Sequence, residues 1–145
     1  MAKNLKSTNN ENSKSGKLRE PNSDFVILSL KKTINSERYG LKFDCNGVCH
    51  NSDLMKLFKD LTDKRWSEVY SNRRNVNHGH ERLLITQIQD KQSREYLQKY
   101  SIDKEKCDIF RFGNQKFRAC GFREDNIFYL VCIDYDFSLY NHGDR

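Results

Sequence analysis

Hydrophobic and polar positions change rhythm several times along this chain, and each change marks an element. Between Lys106 and Tyr135 the sequence reads KCDIFRFGNQKFRACGFREDNIFYLVCIDY. Three runs rich in aromatic and β-branched residues, free of proline, predict a three-stranded meander. The first, Cys107–Phe112, ends at Gly113-Asn114-Gln115, which suits a tight hairpin turn. The second, Lys116–Phe122, ends at the polar break Arg123-Glu124-Asp125-Asn126. The third, Ile127–Ile133, is almost continuously apolar, as expected of a strand covered on both faces.

Upstream the periods alternate. Asp24–Thr33 (DFVILSLKKT) predicts a strand, and Gly40–Asp44 a short second one alternating Leu41 and Phe43. Asn46-Gly47 is a turn signal. Ser52 is placed to cap a helix over Asp53–Leu61, whose Leu54, Met55, Leu57, Phe58 and Leu61 recur at the three-and-four spacing of one buried stripe. A second short helix restarts at Thr62-Asp63, with Trp66, Val69 and Tyr70 on one face. Leu83–Ile88 reads as a further strand, and Ser93 as the cap of a third helix carrying Tyr96, Leu97 and Tyr100. The order predicts an α+β domain: an antiparallel sheet with a C-terminal three-stranded meander, its helices packed mainly on one face.

Residues 1–23 carry no aromatic residue and five Lys/Arg against two Glu. Such a segment buries too little surface to offset ordering entropy, so a disordered basic tail is expected before a single domain over 24–145. Pro21 marks the boundary. The 145 residues suffice for one core, and 36% hydrophobic residues with 32% charged ones fit a soluble protein. No apolar run approaches the roughly 20 residues needed to span a bilayer, and the N-terminus has no apolar core of a signal peptide. Five cysteines, an odd number with no compact spacing, point to a reducing, cytoplasmic setting without disulfides. The net charge of +6 favours acidic partners such as nucleic acid.

Alternation and a two- or four-residue loop place Phe110, Phe112, Phe117 and Ala119 on one face of the meander, whereas a three-residue loop would break this grouping. Ile109, Arg111, Lys116, Arg118 and Cys120 fall on the other. Cations facing each other across a ladder are destabilising, so either an anion sits among them, from this chain or from a ligand, or solvent and helix carboxylates absorb the charge. The polar stretch Asn72–Arg82 (NRRNVNHGHER) adds Arg73, Arg74, His78, His80 and Arg82. Cys45, Cys49 and His50 with His78 and His80 contain zinc-ligand types, but their spacing matches no compact zinc module, and no metal site is assigned. Asp134 and Asp136 fit either a divalent ion or a polar strand end. No nucleophile elbow and no glycine-rich phosphate loop is present, and no cofactor is implied.

A histidine-bearing basic surface can cleave RNA without metal. One group activates the 2′-OH, a cation holds the phosphorane charge, and an acid protonates the leaving 5′-oxygen. His78 and His80 are the candidate base and acid. Arg111 and Arg118 are the phosphate clamps. Tyr140 is a proton donor or, like Tyr129, a stacking partner, and Lys116, Arg73 and Arg74 are backbone contacts.

The segment DIFRFGNQKFRACGFREDNIFYLVCIDYDF resembles the closing hairpins of the RelE/ParE/HigB-like toxin superfamily. There an acidic-aromatic-arginine strand is followed by an arginine-hydrophobic strand, a polar turn and a strongly apolar strand. The likeness covers 24–135 in the order of elements and about thirty residues as motif. It implies an mRNA endonuclease, free or ribosome-bound, with Arg118 and Arg111 on the phosphate, and an antitoxin as protein partner. Where those toxins continue with a lysine-rich segment, this chain turns acidic at Asp134 and Asp136. Two classes of function follow. One is a toxin-like endoribonuclease or translation inhibitor. The other is a non-enzymatic phage or mobile-element protein that binds a host protein or nucleic acid.

Overall fold

A computed structural model describes residues 24–42 and 50–143. The basic tail, Phe43 and Asp44, the Asn46-Gly47 turn, Cys45 and Cys49 lie outside them. Five strands form one sheet: β1 (Ile27–Ser29), β2 (His80–Leu84), β3 (Lys106–Phe112), β4 (Phe117–Glu124) and β5 (Ile127–Asp134). Their order across the sheet is β1-β5-β4-β3-β2. The meander β3-β4-β5 is its centre, and all its pairs are antiparallel. β1 lies parallel to β5, Ile27 opposite Ile127, which makes the sheet mixed.

Strand alternation divides the sheet into two buried faces. Phe110, Phe112, Phe117, Ala119, Phe128 and Ile133 meet α1 (Asn51–Thr62) and α2 (Trp66–Ser71) through Leu54, Leu57, Phe58, Leu61, Trp66 and Val69. Cys107, Ile109, Cys120, Phe122 and Cys132 meet α3 (Lys91–Tyr100), a 3₁₀ turn (Ile85–Gln87) and the C-terminal strap after β5 through Leu97, Ile85, Ile88 and Leu139. Helices mainly on one face therefore describes α1 and α2, while α3 covers the reverse. A bulge after Cys120 shifts the β4–β5 register, and both Val131 and Cys132 join the second face. Gly121 sits at that bulge with the Tyr129 carbonyl 1.9 Å from where a Cβ would be, so no other residue fits without moving backbone.

Several boundaries differ from those expected. α1 begins at Asn51 with His50 as the half-helical residue, and Ser52 lies inside its first turn, because Asn51 Nδ2 donates to the Lys42 carbonyl at 2.6 Å. α3 is capped by Asp90, which accepts from the Ser93 N–H at 2.9 Å and the Ser93 hydroxyl at 2.6 Å. Ser93 is thus a buried helical residue. The strand expected over Leu83–Ile88 starts earlier, at His80, and gives way to the 3₁₀ turn, because Ile85 and Ile88 are both buried and three-residue spacing brings them to one side. Of Asp24–Thr33 only Ile27–Ser29 pairs as a strand, since the chain turns at Leu30–Thr33. Leu41 and Lys42 form no strand. Tyr70 is 47% exposed, unlike its neighbours Trp66 and Val69.

Candidate functional site

Arg111 and Arg118 stand directly opposite each other on β3 and β4. They are 7% and 1% exposed, among the most deeply placed charges of the described residues. The four-residue turn between the strands creates this pairing, and it bends through an unusual path. Gly113, Asn114 and Gln115 all take left-handed φ, +61°, +57° and +70°, which strains Gln115. The bend returns polar atoms to the arginines. The Gln115 carbonyl accepts from Arg118 Nη1 at 2.7 Å, and Gln115 Oε1 accepts from Arg111 Nη1 at 3.3 Å. Asn77 Oδ1 accepts from the Gln115 N–H and ties loop 72–79 to the turn.

The other components come from three elements. Glu81 on β2 projects to the same face, its Oε2 3.7 Å from Arg111 Nη2 and its Oε1 3.6 Å from Arg74 Nη1. The strap supplies Tyr140, whose hydroxyl accepts from Arg118 Nε at 3.1 Å and donates to Glu81 Oε2 at 3.3 Å. Burial, then the Glu81 carboxylate, pushes the Tyr140 phenol up to about 12. Burial and the neighbouring Arg118 lower the Arg111 guanidinium below its ordinary value. Arg111 Nε is buried without a hydrogen-bond partner among the described residues. Arg111 and Arg74 thus share the Glu81 carboxylate, which Arg118 meets only through the Tyr140 hydroxyl. A cleft of about 270 Å³ opens onto Arg74, Arg111, Glu81 and Tyr140, lined also by Arg82, Gln87, Asn141 and His142, while Arg118 is not in its lining.

Asp134 holds the strap in place. It faces Arg118 across the ladder and is fully buried. Its carboxylate accepts backbone N–H groups from Asp136 (3.2 Å), Ser138 (3.2 Å) and Leu139 (3.0 Å). Burial raises its pKa, against the pull of those N–H groups. Asp136 instead pairs with Arg38 at 2.9 Å and accepts the Ser138 hydroxyl. The two carboxylates also lie in hydrogen-bond contact with each other, so they shape the strap together. Among the described residues no cluster of three or more potential ligands is arranged to hold a metal.

The structure brings together Arg111, Arg118, Tyr140 and Arg74, and it separates the two histidines from them. His80 lies opposite Phe110 and points to the α1–α2 face, its Nε2 2.7 Å from buried Asp108 and its ring 5.2 Å from Tyr70. Strand alternation puts Glu81 on the arginine side and so must put His80 on the other. His78 takes a left-handed φ of +64°, and its Nδ1 lies 2.9 Å from Asp60 of α1. Burial works to raise the Asp60 carboxyl, but hydrogen bonds from Lys64 and His78 leave it below its ordinary value. Lys116 is exposed in the turn, outside β4, so it does not share the strand face expected for it. Arg73 is exposed in loop 72–79. Tyr129 stacks on Phe122 at 5.1 Å, four ladder pairs from Arg118.

Sequence reading missed Glu81 and His142. Glu81 was legible as the residue beside His80 once the β2 register was assigned. His142 stacks flat on Phe137 (3.7 Å, 6°) and against Tyr140 (4.1 Å), a placement that depends on the strap and on no local pattern. No family model matches this chain, and neither the curated proteins nor the solved structures offer a match. No helix among the described residues is long and apolar enough to cross a membrane.

Proposed function

We propose that this protein acts on RNA, holding a phosphodiester against Arg111 with the buried Arg118 charge beside it, and cleaving it without a metal. One observation carries the reading: two buried arginines face each other across a ladder, Glu81 lies 3.7 Å from Arg111, and the Arg111 Nε has no partner among the described residues. Like charges so placed are costly, and a phosphate offers the planar forks bidentate acceptors. The likeness of 108–137 to the closing hairpins of RelE/ParE/HigB-like toxins supports the same reading.

The roles shift from His78 and His80 to groups in the cleft. Glu81 takes the proton of the 2′-OH as its oxygen attacks phosphorus. Arg111 and Arg118 hold the charge that accumulates on the non-bridging oxygens. The bond to the 5′-oxygen breaks, and that oxygen takes a proton from the His142 imidazolium. The products are a 2′,3′-cyclic phosphate and a 5′-hydroxyl. Tyr140, bonded to both Arg118 and Glu81, keeps base and clamp in register.

The test is cleavage of a labelled single-stranded RNA by purified protein in excess chelator, beside Glu81→Gln. Cleavage by the wild type, lowered on the order of 10²-fold or more by the amide, is expected. Intact RNA together with no measurable RNA binding overturns the reading. In cells, induced expression should arrest translation, and Glu81→Gln should relieve it.

A further inference from the structure

The turn between β3 and β4 follows a path that its residues do not favour. Gly113, Asn114 and Gln115 take left-handed φ in succession, and Gln115, at +70°, has neither the freedom of glycine nor the local side-chain bonding of asparagine. A Cβ on Gly113 would lie 2.2 Å from the Phe117 ring, so that ring packs directly on the turn's backbone. From outside, Asn77 Oδ1 accepts the Gln115 N–H at 3.3 Å. The result is that one residue sets two acceptors against two guanidiniums. Gln115 Oε1 takes Nη1 of Arg111 at 3.3 Å, and the Gln115 carbonyl takes Nη1 of Arg118 at 2.7 Å. Arg118 is further held through Nε by Tyr140 and through Nη1 by the Phe117 carbonyl. Arg111 keeps one edge open. Its Nε is buried and unpartnered, and the nearest carboxylate, Glu81, stands 3.7 Å from its Nη2. Those two N–H groups point along the same edge of the guanidinium, a fork that matches two oxygens of one phosphate.

We infer that Gln115 is a positioning residue for this site: by engaging Nη1 it leaves the Nε–Nη2 edge of Arg111 to receive the phosphate, and by its carbonyl it fixes the Arg118 charge beside it. The inference rests on the RNA reading above and deepens it, since the phosphate is met side-on by one guanidinium edge. Arg111 lines the cleft but its Nε is closed off, so an arriving phosphate draws that edge forward about the Nη1 bond, with Gln115 as the pivot. Glycine would relieve the backbone strain at this position but carries no acceptor, which accounts for the amide.

The experiment compares the full chain with Gln115→Gly and Gln115→Met. It reads thermal melting, cleavage kinetics on single-stranded RNA, and the NMR signal of the Arg111 Nε–H during titration with inorganic phosphate, assigned by its loss in Arg111→Lys. Gln115→Gly suits the left-handed backbone and should melt at or above the wild type. Gln115→Met keeps the side-chain length without the acceptor and gains no such relief. Despite their different stabilities, both should lower kcat/KM by about tenfold or more, the equivalent of one hydrogen bond to a charged group. Phosphate should move the Arg111 signal in the wild type and leave it in place in both variants. Wild-type kcat/KM in either variant, or losses that follow the melting points, overturns the positioning role while leaving the RNA reading intact. A wild-type Arg111 signal that phosphate does not move also overturns it. RNA neither bound nor cut by the wild type, with the phosphate response present there and lost in both variants, overturns the RNA reading and leaves the anion fork standing.

Discussion

Arg118 shows how closely stability and chemistry are joined at a single side chain. Its Nη1 donates to the carbonyls of Gln115 and Phe117 and its Nε to Tyr140, so it secures the β3–β4 turn as well as offering a charge. Arg118→Ala should lose about 2–4 kcal/mol of folding stability in denaturant melts along with any activity. Glu81→Gln separates the two effects. It removes the carboxylate that Arg111 and Arg74 share, so RNA should bind more tightly at low salt while cleavage falls, a split that binding and rate measurements read directly. Tyr140 adds a pH dependence. Its phenol is raised from 10 to about 12 by burial, so between those values the native state holds a proton the unfolded state has lost. Stability contributed by the neutral phenol is therefore complete below about pH 10 and declines as pH rises toward 12, on the order of 2 kcal/mol. Tyr140→Phe should flatten that part of the alkaline stability profile.

At the level of elements, the strap is the part that local pattern conceals. Asp134 reads in sequence as the polar end of an apolar strand. In the fold it accepts three N–H groups and thereby sets where Tyr140 and His142 stand. Asp134→Ala should cost about 2–4 kcal/mol and abolish RNA binding, and Asp134→Asn should restore part of both, as calorimetry and anisotropy would register. Gly121→Ala should destabilise by a comparable amount, since the added methyl meets the Tyr129 carbonyl. The meander was legible because strand periodicity, turn residues and the absence of proline agree over Lys106–Asp134. The pairing of Arg111 with Arg118 depended on the turn having four residues, which the strand bounds read from sequence did not fix. The histidine placement was not legible. It depends on β2 starting at His80, a one-residue choice that sends alternate side chains to opposite faces. Asp90 and Ser93 show the same limit, since both are good caps and tertiary burial of Ser93 decides between them.

For the whole molecule, the sheet is a middle layer with apolar contacts on both sides. Leu57 and Leu97, each fully buried on opposite faces, should each cost about 2–5 kcal/mol on replacement by alanine. A one-sided sheet would leave Leu97→Ala near neutral. Charge acts over the same scale. Ligation of one phosphate by two or three cations predicts a log–log salt slope near −1.4 to −2 for single-stranded RNA. A slope near zero would remove electrostatics from the account.

The parallel pairing of β1 with β5 joins Ile27 to Ile127, and Tyr140 follows later still. A ribosome making this chain releases the first strand long before its partner exists, and the cleft assembles only when the strap that carries Tyr140 has emerged. Nascent chains stopped before β5 should therefore be open to protease at Phe25–Leu30 and inert toward RNA, and completing β5 and the strap should close both windows together. On the proposed function, the emerging polypeptide would spare the RNA that encodes it until the strap is in place.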